Sequence, residues 1–404
     1  MSTSLLYHAF GVRGYGYVRT EYVGGEVIFT IQQPRKSLRC SACGSREVGP
    51  RGYAERRFHS LPIGRRRTFI TLSVPRVFCR KCGLTRQTRL DFADPRRTYT
   101  RAFERYALEL SRCMTIQDVA HHTGVSWDII KDIQRRDLER RFARPKLKHL
   151  RQIAIDEISV AKGHRYLSVV LDLESGAVVF VGDGKGGDAL RPFWKRLRSS
   201  KANIEAVAMD MSAAYREAAS KHLSRAVIVF DHFHVIKLFN EKLSNLRRQL
   251  YRRARSESDK QILKGTRWLL LKNPENLDPQ RNEGQRLKEA LKLNRPLATA
   301  YYLKEELRQF WSHYDRDSAE TFLTDWIARA RITGIKVLKT FANTLSSHRE
   351  GLLAYYDHQI SSGRLEGTNN KVKTMKRQAY GFRDHEFFKL KILAIHEAKY
   401  VLVG

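Results

Sequence analysis

The chain has 404 residues, and 75 Lys and Arg against 42 Asp and Glu give it a formal charge of +33. So positive a balance excludes an ordinary near-neutral metabolic enzyme as the first expectation, while 42% hydrophobic and 10% aromatic residues exclude a disordered basic tail. A folded surface of this charge binds polyanions through phosphate contacts and counterion release, nucleic acid ahead of a membrane surface.

The length predicts two to four domains. The N-terminal text MSTSLLYHAFGVRG lacks a charged segment leading into a long apolar stretch, and no apolar run approaches the roughly 18 to 20 residues that span a bilayer. The expectation is a soluble, cytoplasmic protein with no membrane partner. Between Val12 and Ile31 the text alternates as two short strands around Gly24-Gly25. They lead into a β-rich module, expected over 1–95, which holds Cys40-x-x-Cys43 and Cys79-x-x-Cys82 on either side of two strand-like stretches joined at Gly64-Arg65-Arg66-Arg67. Thiolates at i and i+3 can face one ion, and two such knuckles complete a tetrahedral sulfur shell suited to a structural Zn²⁺. The other reading is two unconnected reduced thiol pairs. Cys113, the fifth cysteine, reads as a small buried hydrophobe.

Residues 100–142 change to helical period. Within them Thr115–Ala120 predicts one helix, Gly124-Val125 a turn, and Ser126 the cap of a second helix over Trp127–Arg135. Val119, Val125 and Ile130 would form the shared core, with Ala120 allowing close crossing. In a DNA-reading helix-turn-helix, expected as the domain 96–150, Ser126, Trp127, Asp128 and Lys131 fall near the major groove. The same pattern also occurs in plain helical hairpins. The basic stretch 135–151, broken by Pro145, reads as a linker able to touch phosphate.

From residue 151 three strand-like runs are followed by helix, strand, helix and strand, the order of a mixed α/β sheet. A long helical, charged region follows at about 240–360, and the final segment is helical again. Asp156 and Asp210 each end or interrupt an apolar strand, where a carboxylate is costly unless paired or bound to a cation. Taken singly, either acid reads equally well as a cap or turn residue. Together with a third acid on a helix they form an oxygen-ligand site for Mg²⁺ or Mn²⁺, as two-metal phosphodiester chemistry requires. Glu366 is the candidate third acid: at 100° per residue it shares a stripe with Asn370, Lys373 and Arg377, opposite Val372 and Met375. The other reading of that stripe is a solvated basic face. Asp231 and His234, in Asp231-His232-Phe233-His234, either support the site, touch DNA, or make structural hydrogen bonds.

The stretches AIDEISVAKGHRY, AVAMDMSAAY, VFDHFHVIKL and RLEGTNNKVKTMKRQAYGFRDHEFFKLKIL resemble the insertion-sequence-L-three family of bacterial DDE transposases, and the four-cysteine and helix-turn-helix segments occur in that family's order. The resemblance implies a multidomain α+β chain: an N-terminal four-cysteine zinc-binding β module, a helix-turn-helix domain, and an RNase H-like α/β catalytic core over 151–404. It also implies that the helical region at 240–360 is an insertion in that core. It makes Asp156, Asp210 and Glu366 the acidic triad, with Asp231 a competitor for the second place. Double-stranded DNA would be the partner, as terminal inverted repeats and as target. Strand cleavage and 3′-OH transfer would be the chemistry, with a homodimer or higher oligomer at synapsis and residence at the bacterial nucleoid. Arg65, Arg66 and Arg67, the stretch 135–151, and Lys371, Lys376 and their neighbours would hold backbone phosphate. A non-catalytic repressor and an RNase H-like nuclease without strand transfer share many of these features.

Overall fold

A computed structural model describes residues 5–161 and 165–396. The expected final helix continues beyond 396, outside the described residues. Two compact units emerge, one ending at Ala143 and one spanning Arg144–His396.

The first unit opens with α1 (Leu5–Phe10) and a five-stranded sheet of β1 (Gly16–Val23), β2 (Glu26–Gln32), β3 (Val48–His59), β4 (Thr68–Cys79) and β5 (Thr85–Gln87). The order is β1-β2-β4-β3, with β5 also on β4. The β1–β2 hairpin turns at Gly24 and Gly25, both at positive φ, as the sequence anticipates. Alternation along β2 and β4 sends Val27, Phe29, Ile31, Ile70, Leu72 and Val74 into one core with Phe10, Phe58 and Phe92.

Three helices complete this unit: α2 (Arg101–Leu110), α3 (Ile116–Thr123) and α4 (Trp127–Phe142). Thr115 and Asp118 form a reciprocal capping box at the start of α3, and Gly124 ends it at φ 69°. Val119, Ala120, Ile130 and Ile133 are buried between the helices with Phe103, and Val125 packs at their edge. Two expectations change here. Cys113 is exposed in the turn after α2 and so packs into no core. The second helix runs on to Phe142 instead of ending at Arg135, so half of the expected linker is helix. Ion pairs to other elements hold it: Arg136 reaches Glu104 at 3.0 Å and Asp94 at 3.7 Å, and donates to the Tyr99 hydroxyl at 2.8 Å. The other half of that stretch lies in the second unit, where Leu147 and Leu150 are buried in the main core. The break between units therefore falls at 143/144, and the four-cysteine sheet and the helix-turn-helix share one unit.

The second unit is built on β6 (Gln152–Ala161), β7 (Arg165–Asp172), β8 (Val178–Asp183), α5 (Arg191–Ser200), β9 (Ala206–Met209), α6 (Ala213–His222) and β10 (Val227–Phe230), in the order the sequence predicts. The sheet order is β10-β9-β6-β7-β8, antiparallel over β6–β8 and parallel over β6, β9 and β10. Continuous apolar runs such as Ala206–Met209 are wholly buried, as strands covered on both faces require.

The helical region begins with α7 (His232–Arg253), which leaves β10 directly. It continues through α8 (Glu257–Gly265), α9 (Glu283–Leu293), α10 (Arg295–Arg308), α11 (Arg316–Ile332), α12 (Lys336–Ser347) and α13 (Arg349–Leu353). Residues 267–271, which read as helical in period, form turns instead, with Leu269 and Leu270 buried. Phe239, Trp326 and Phe341 interlock at ring separations of 4.7 to 6.0 Å and belong to the same core as the sheet. α14 (Gly363–Gln378) and α15 (His385–Leu393) follow. Among the described residues no helix is long and apolar enough to cross a membrane.

Candidate active site and nucleic-acid interface

The parallel half of the second sheet sets three acids level with one another. Ala154 pairs with Ala208 and Met209 with Phe230, so Asp156, Asp210 and Asp231 follow in one row across β6, β9 and β10. This row lies toward the carboxyl ends of parallel strands, where open α/β sheets place their chemistry. Asp156 is half-buried: Oδ1 accepts from the Glu157 N–H at 2.7 Å and Oδ2 from the Asn369 amide at 2.7 Å. Burial pushes its carboxyl above the ordinary carboxylate range and nearby Asp210 adds to the rise, while His234, the Glu157 N–H and Asn369 oppose it. Asp210 accepts from the Ser212 N–H at 3.0 Å, an Asx turn that starts α6, and stays partly open to solvent. Asp231 is 1% exposed. Its Oδ1 accepts from the Ser362 N–H at 3.2 Å, and its buried Oδ2 has no partner.

Glu366 stands in the first turn of α14 and is half-buried. That helix buries Leu365, Thr368, Asn369 and Val372, a stripe at i, i+3, i+4 and i+7, and packs on β6. Leu365 and Val372 each contribute roughly 1.5–3 kcal/mol of apolar burial. Arg364 donates to the Leu173 and Glu174 carbonyls and pins the helix start to the β7–β8 turn. The expected stripe does face outward, with Asn370, Lys373 and Arg377 exposed and Lys371 and Lys376 half-buried. The amide that meets Asp156 is therefore Asn369, which the sequence reading passed over for Asn370. Glu157 was passed over as well. Burial raises its carboxyl, with Asp210 adding to the rise and Lys185 and a Tyr215 hydrogen bond opposing it. Tyr215 in turn shares a 2.8 Å hydrogen bond with Ser168.

In the first unit the cysteine sulfurs lie within 4.8 Å of one another. Cys43 and Cys79 are 3.5 Å apart and Cys40 and Cys82 3.6 Å. A tetrahedral Zn²⁺ with Zn–S bonds of about 2.3 Å needs sulfur separations of about 3.8 Å, so the group fits zinc. Both knuckles share one backbone pattern: the N–H of Gly44 or Gly83 donates to the first cysteine's carbonyl at 2.9 Å. Both glycines stand at positive φ, 75° and 66°, which accounts for their place after each pair. Knuckle peptide N–H groups, Cys43 first and then Ala42, hold the Cys40 thiol down to about 6. Among the described residues no other three His, Cys, Asp or Glu side chains form such a group, and the acids at the sheet edge are not gathered to that degree.

Ser126, Trp127 and Asp128 are exposed at the start of α4, and Lys131 lies 5.0 Å over the Trp127 ring. Ser126 occupies the cap position without a side-chain cap bond. Arg65, Arg66 and Arg67 are exposed on the β3–β4 loop, and a Cβ at Gly124 would overlap the Arg67 guanidinium. The arginine loop and the turn between α3 and α4 are thus one surface.

Comparison with known proteins agrees with these parts one by one. Residues 153–392 match the family described as transposase of ISL3 type, residues 88–137 the helix-turn-helix domain of transposase family ISL3, and residues 36–82 the zinc-finger of transposase IS204/IS1001/IS1096/IS1165. The transposase for insertion sequence element IS1001 of Bordetella parapertussis is 33% identical over 390 residues, 95% of this chain and 96% of that protein. The chain belongs to the ISL3 family of transposases. A second relative, the transposase for insertion sequence element IS1557 of Mycobacterium tuberculosis, is 30% identical over 389 residues, covering 89% of this chain and 86% of its own length. The Drosophila P element transposase strand transfer complex aligns with 65% of this ISL3 chain and 80% of its own, at 12% identity and a TM-score of 0.35.

Proposed function

We propose that this transposase is of the DDE type: it binds the terminal inverted repeats of its element, hydrolyses a phosphodiester at the element end, and uses the freed 3′-OH as nucleophile on target DNA. The observation that carries the reading is the level row of Asp156, Asp210 and Asp231, with α14, the helix that carries Glu366 one turn before Asn369, fixed onto β6 by the Asn369–Asp156 hydrogen bond.

Asp156, Asp210 and Glu366 are the ligands we assign to Mg²⁺ or Mn²⁺. An all-oxygen donor set suits a hard cation, and a half-buried Asp156 pushed toward protonation is a carboxylate short of positive charge. When bound, such an ion lowers the pKa of the attacking oxygen and stabilises the leaving one. The chain's own groups act around it. Asn369 donates to Asp156 and thereby favours its ionised form in a fixed orientation. Asp231, buried and tied to Ser362 through Oδ1, holds the foot of α14, and Asp210, which stays partly open to solvent at the end of β9, is the second ligand in this reading. His234 adds positive charge near Asp156 when protonated. Lys373 and Arg377, with Lys371 and Lys376 beside them, face outward to hold phosphate. In the first unit the zinc knuckles stabilise the sheet, Ser126, Trp127, Asp128 and Lys131 read the element end, and Arg65 to Arg67 grip its backbone. Synapsis of two ends calls for a dimer or larger assembly, working in the cytoplasm at the nucleoid.

The test is cleavage and strand joining on a labelled duplex carrying the element end, with Mg²⁺ or EDTA. Asp156→Ala, Asp210→Ala and Glu366→Ala should abolish both steps while end binding persists. Asp231→Ala should weaken activity through loss of order in α14. Activity that survives Asp210→Ala but not Asp231→Ala moves the second ligand, and tight binding without cleavage in the wild type overturns the catalytic reading.

A further inference from the structure

An open groove of about 510 Å³ runs along α7, starting two residues beyond Asp231. Phe233, Lys237, Asn240, Ser244 and Arg248 line one wall at helical spacing, and Arg267 comes from the turns after α8. From Phe233 to Arg248 the helix rises roughly 22 Å. Among the described residues three cations line the groove against one carboxylate, Glu241, so its field favours an anion. A space of this size accepts a small ligand or one or two nucleotides, not a duplex.

One observation separates a base from a bare phosphate. Phe233 is 42% exposed at the groove's mouth, an aromatic face left to solvent beside cations. Asn240 lines the same wall with its Oδ1 buried. A bare phosphate has no face to lay on a ring, whereas an unpaired base does. Aromatic faces and cations in alternation are the chemistry of single-strand binding.

We propose that the α7 groove holds unpaired nucleotides of the DNA strand adjoining the scissile phosphodiester, with a base on Phe233 and the strand's phosphates along Lys237, Arg248 and Arg267. Its placement next to the reacting strand rests on the catalytic reading above. The nucleotide binding itself does not.

The experiment measures fluorescence polarisation of the full chain in EDTA, so that nothing is cleaved, with a labelled duplex that ends blunt, in a short deoxycytidine extension, or in an abasic extension of equal length. The deoxycytidine extension should tighten binding about tenfold or more and the abasic one much less. Phe233→Ala and Arg267→Ala should remove most of that gain and leave blunt-duplex affinity unchanged, while Phe233→Tyr keeps it. An unchanged melting temperature shows that the variants are folded. Equal binding of blunt and extended duplexes, an abasic extension as effective as the normal one, or a gain that survives Phe233→Ala each overturns the proposal. A wild type that shows the gain but never cleaves sinks the catalytic reading alone.

Discussion

Replacing His59 with Phe should remove much of the acid sensitivity of the DNA-binding unit. His59 ends β3, is 8% exposed, and is wedged between the rings of Phe69 at 4.8 Å and Phe103 at 4.6 Å, where the four-cysteine sheet meets α2. Its backbone ties the same joint, donating to the Thr98 carbonyl and accepting from the Thr100 N–H. Burial pushes the imidazole down to about 4; Arg67 and Arg57 push the same way and Glu26 opposes them. In the unfolded chain the ring titrates near 6.5. Because the unfolded state binds the proton more readily, this stability is fully present above pH 6.5 and is lost as pH falls toward 4. At pH 5 the loss is about 2 kcal/mol, and the full difference is about 3 kcal/mol. For a unit of this size that lowers the transition by roughly 5 to 8 °C at pH 5. The assay is calorimetry of the full chain at pH 7.5 and 5, wild type against His59→Phe, following the transition that also responds to zinc chelation. Phenylalanine fits the same aromatic slot and carries no proton, so the variant should lose about 2 kcal/mol less than the wild type. Identical losses in both proteins would refute the argument, since carboxylates elsewhere would then account for the whole effect.

Asn369→Leu should slow cleavage at neutral pH by tenfold or more. It should also move the acid limb of the rate–pH profile upward, because loss of the amide raises the Asp156 pKa further; a limb that stays put would show that the hydrogen bond does not act on ionisation. Freshly purified protein should hold one zinc per chain by native mass spectrometry, and Cys79→Ser should lose both the zinc and end binding; a zinc-free protein that still binds ends would contradict the structural role of the knuckles. Gly124→Ala should cost about 1–2 kcal/mol from its φ of 69° alone, plus displacement of Arg67. Adding Arg67→Ala should recover only the second part in urea unfolding, and full recovery would mean that the backbone is not strained.

Much of this arrangement is legible in the sequence because local chemistry dictates it. Two C-x-x-C-G knuckles have few uses, Gly124 marks a left-handed turn, and apolar runs ending in aspartate mark buried strands that carry acids to one edge. What the text leaves obscure depends on contacts between distant residues. The ideal helix places Glu366, Asn370, Lys373 and Arg377 on a stripe, yet which neighbouring stripe meets β6 follows from Leu365 and Val372, and a polar Asn369 between them is the overlooked clue. The extension of α4 to Phe142 has no apolar period to announce it; it is held by Arg136, whose partners lie on α2 and in the segment before it. Residues 267–271 look helical because they are apolar, but their burial comes from the packing around Leu269 and Leu270 and not from an amphipathic helix.

The bond from the Asp231 carboxylate to the Ser362 N–H joins residues 131 positions apart in sequence. It closes the whole helical region into a loop whose two feet stand on adjacent parts of the sheet edge. For a closed loop the entropic penalty grows only logarithmically with its contour, about 0.6 kcal/mol per doubling. Helices can therefore be added or deleted at the far end of that loop, away from the sheet, while its feet keep α14 and the acids in register. The clasp uncouples the length of the helical region from the spacing of the acids at the sheet edge.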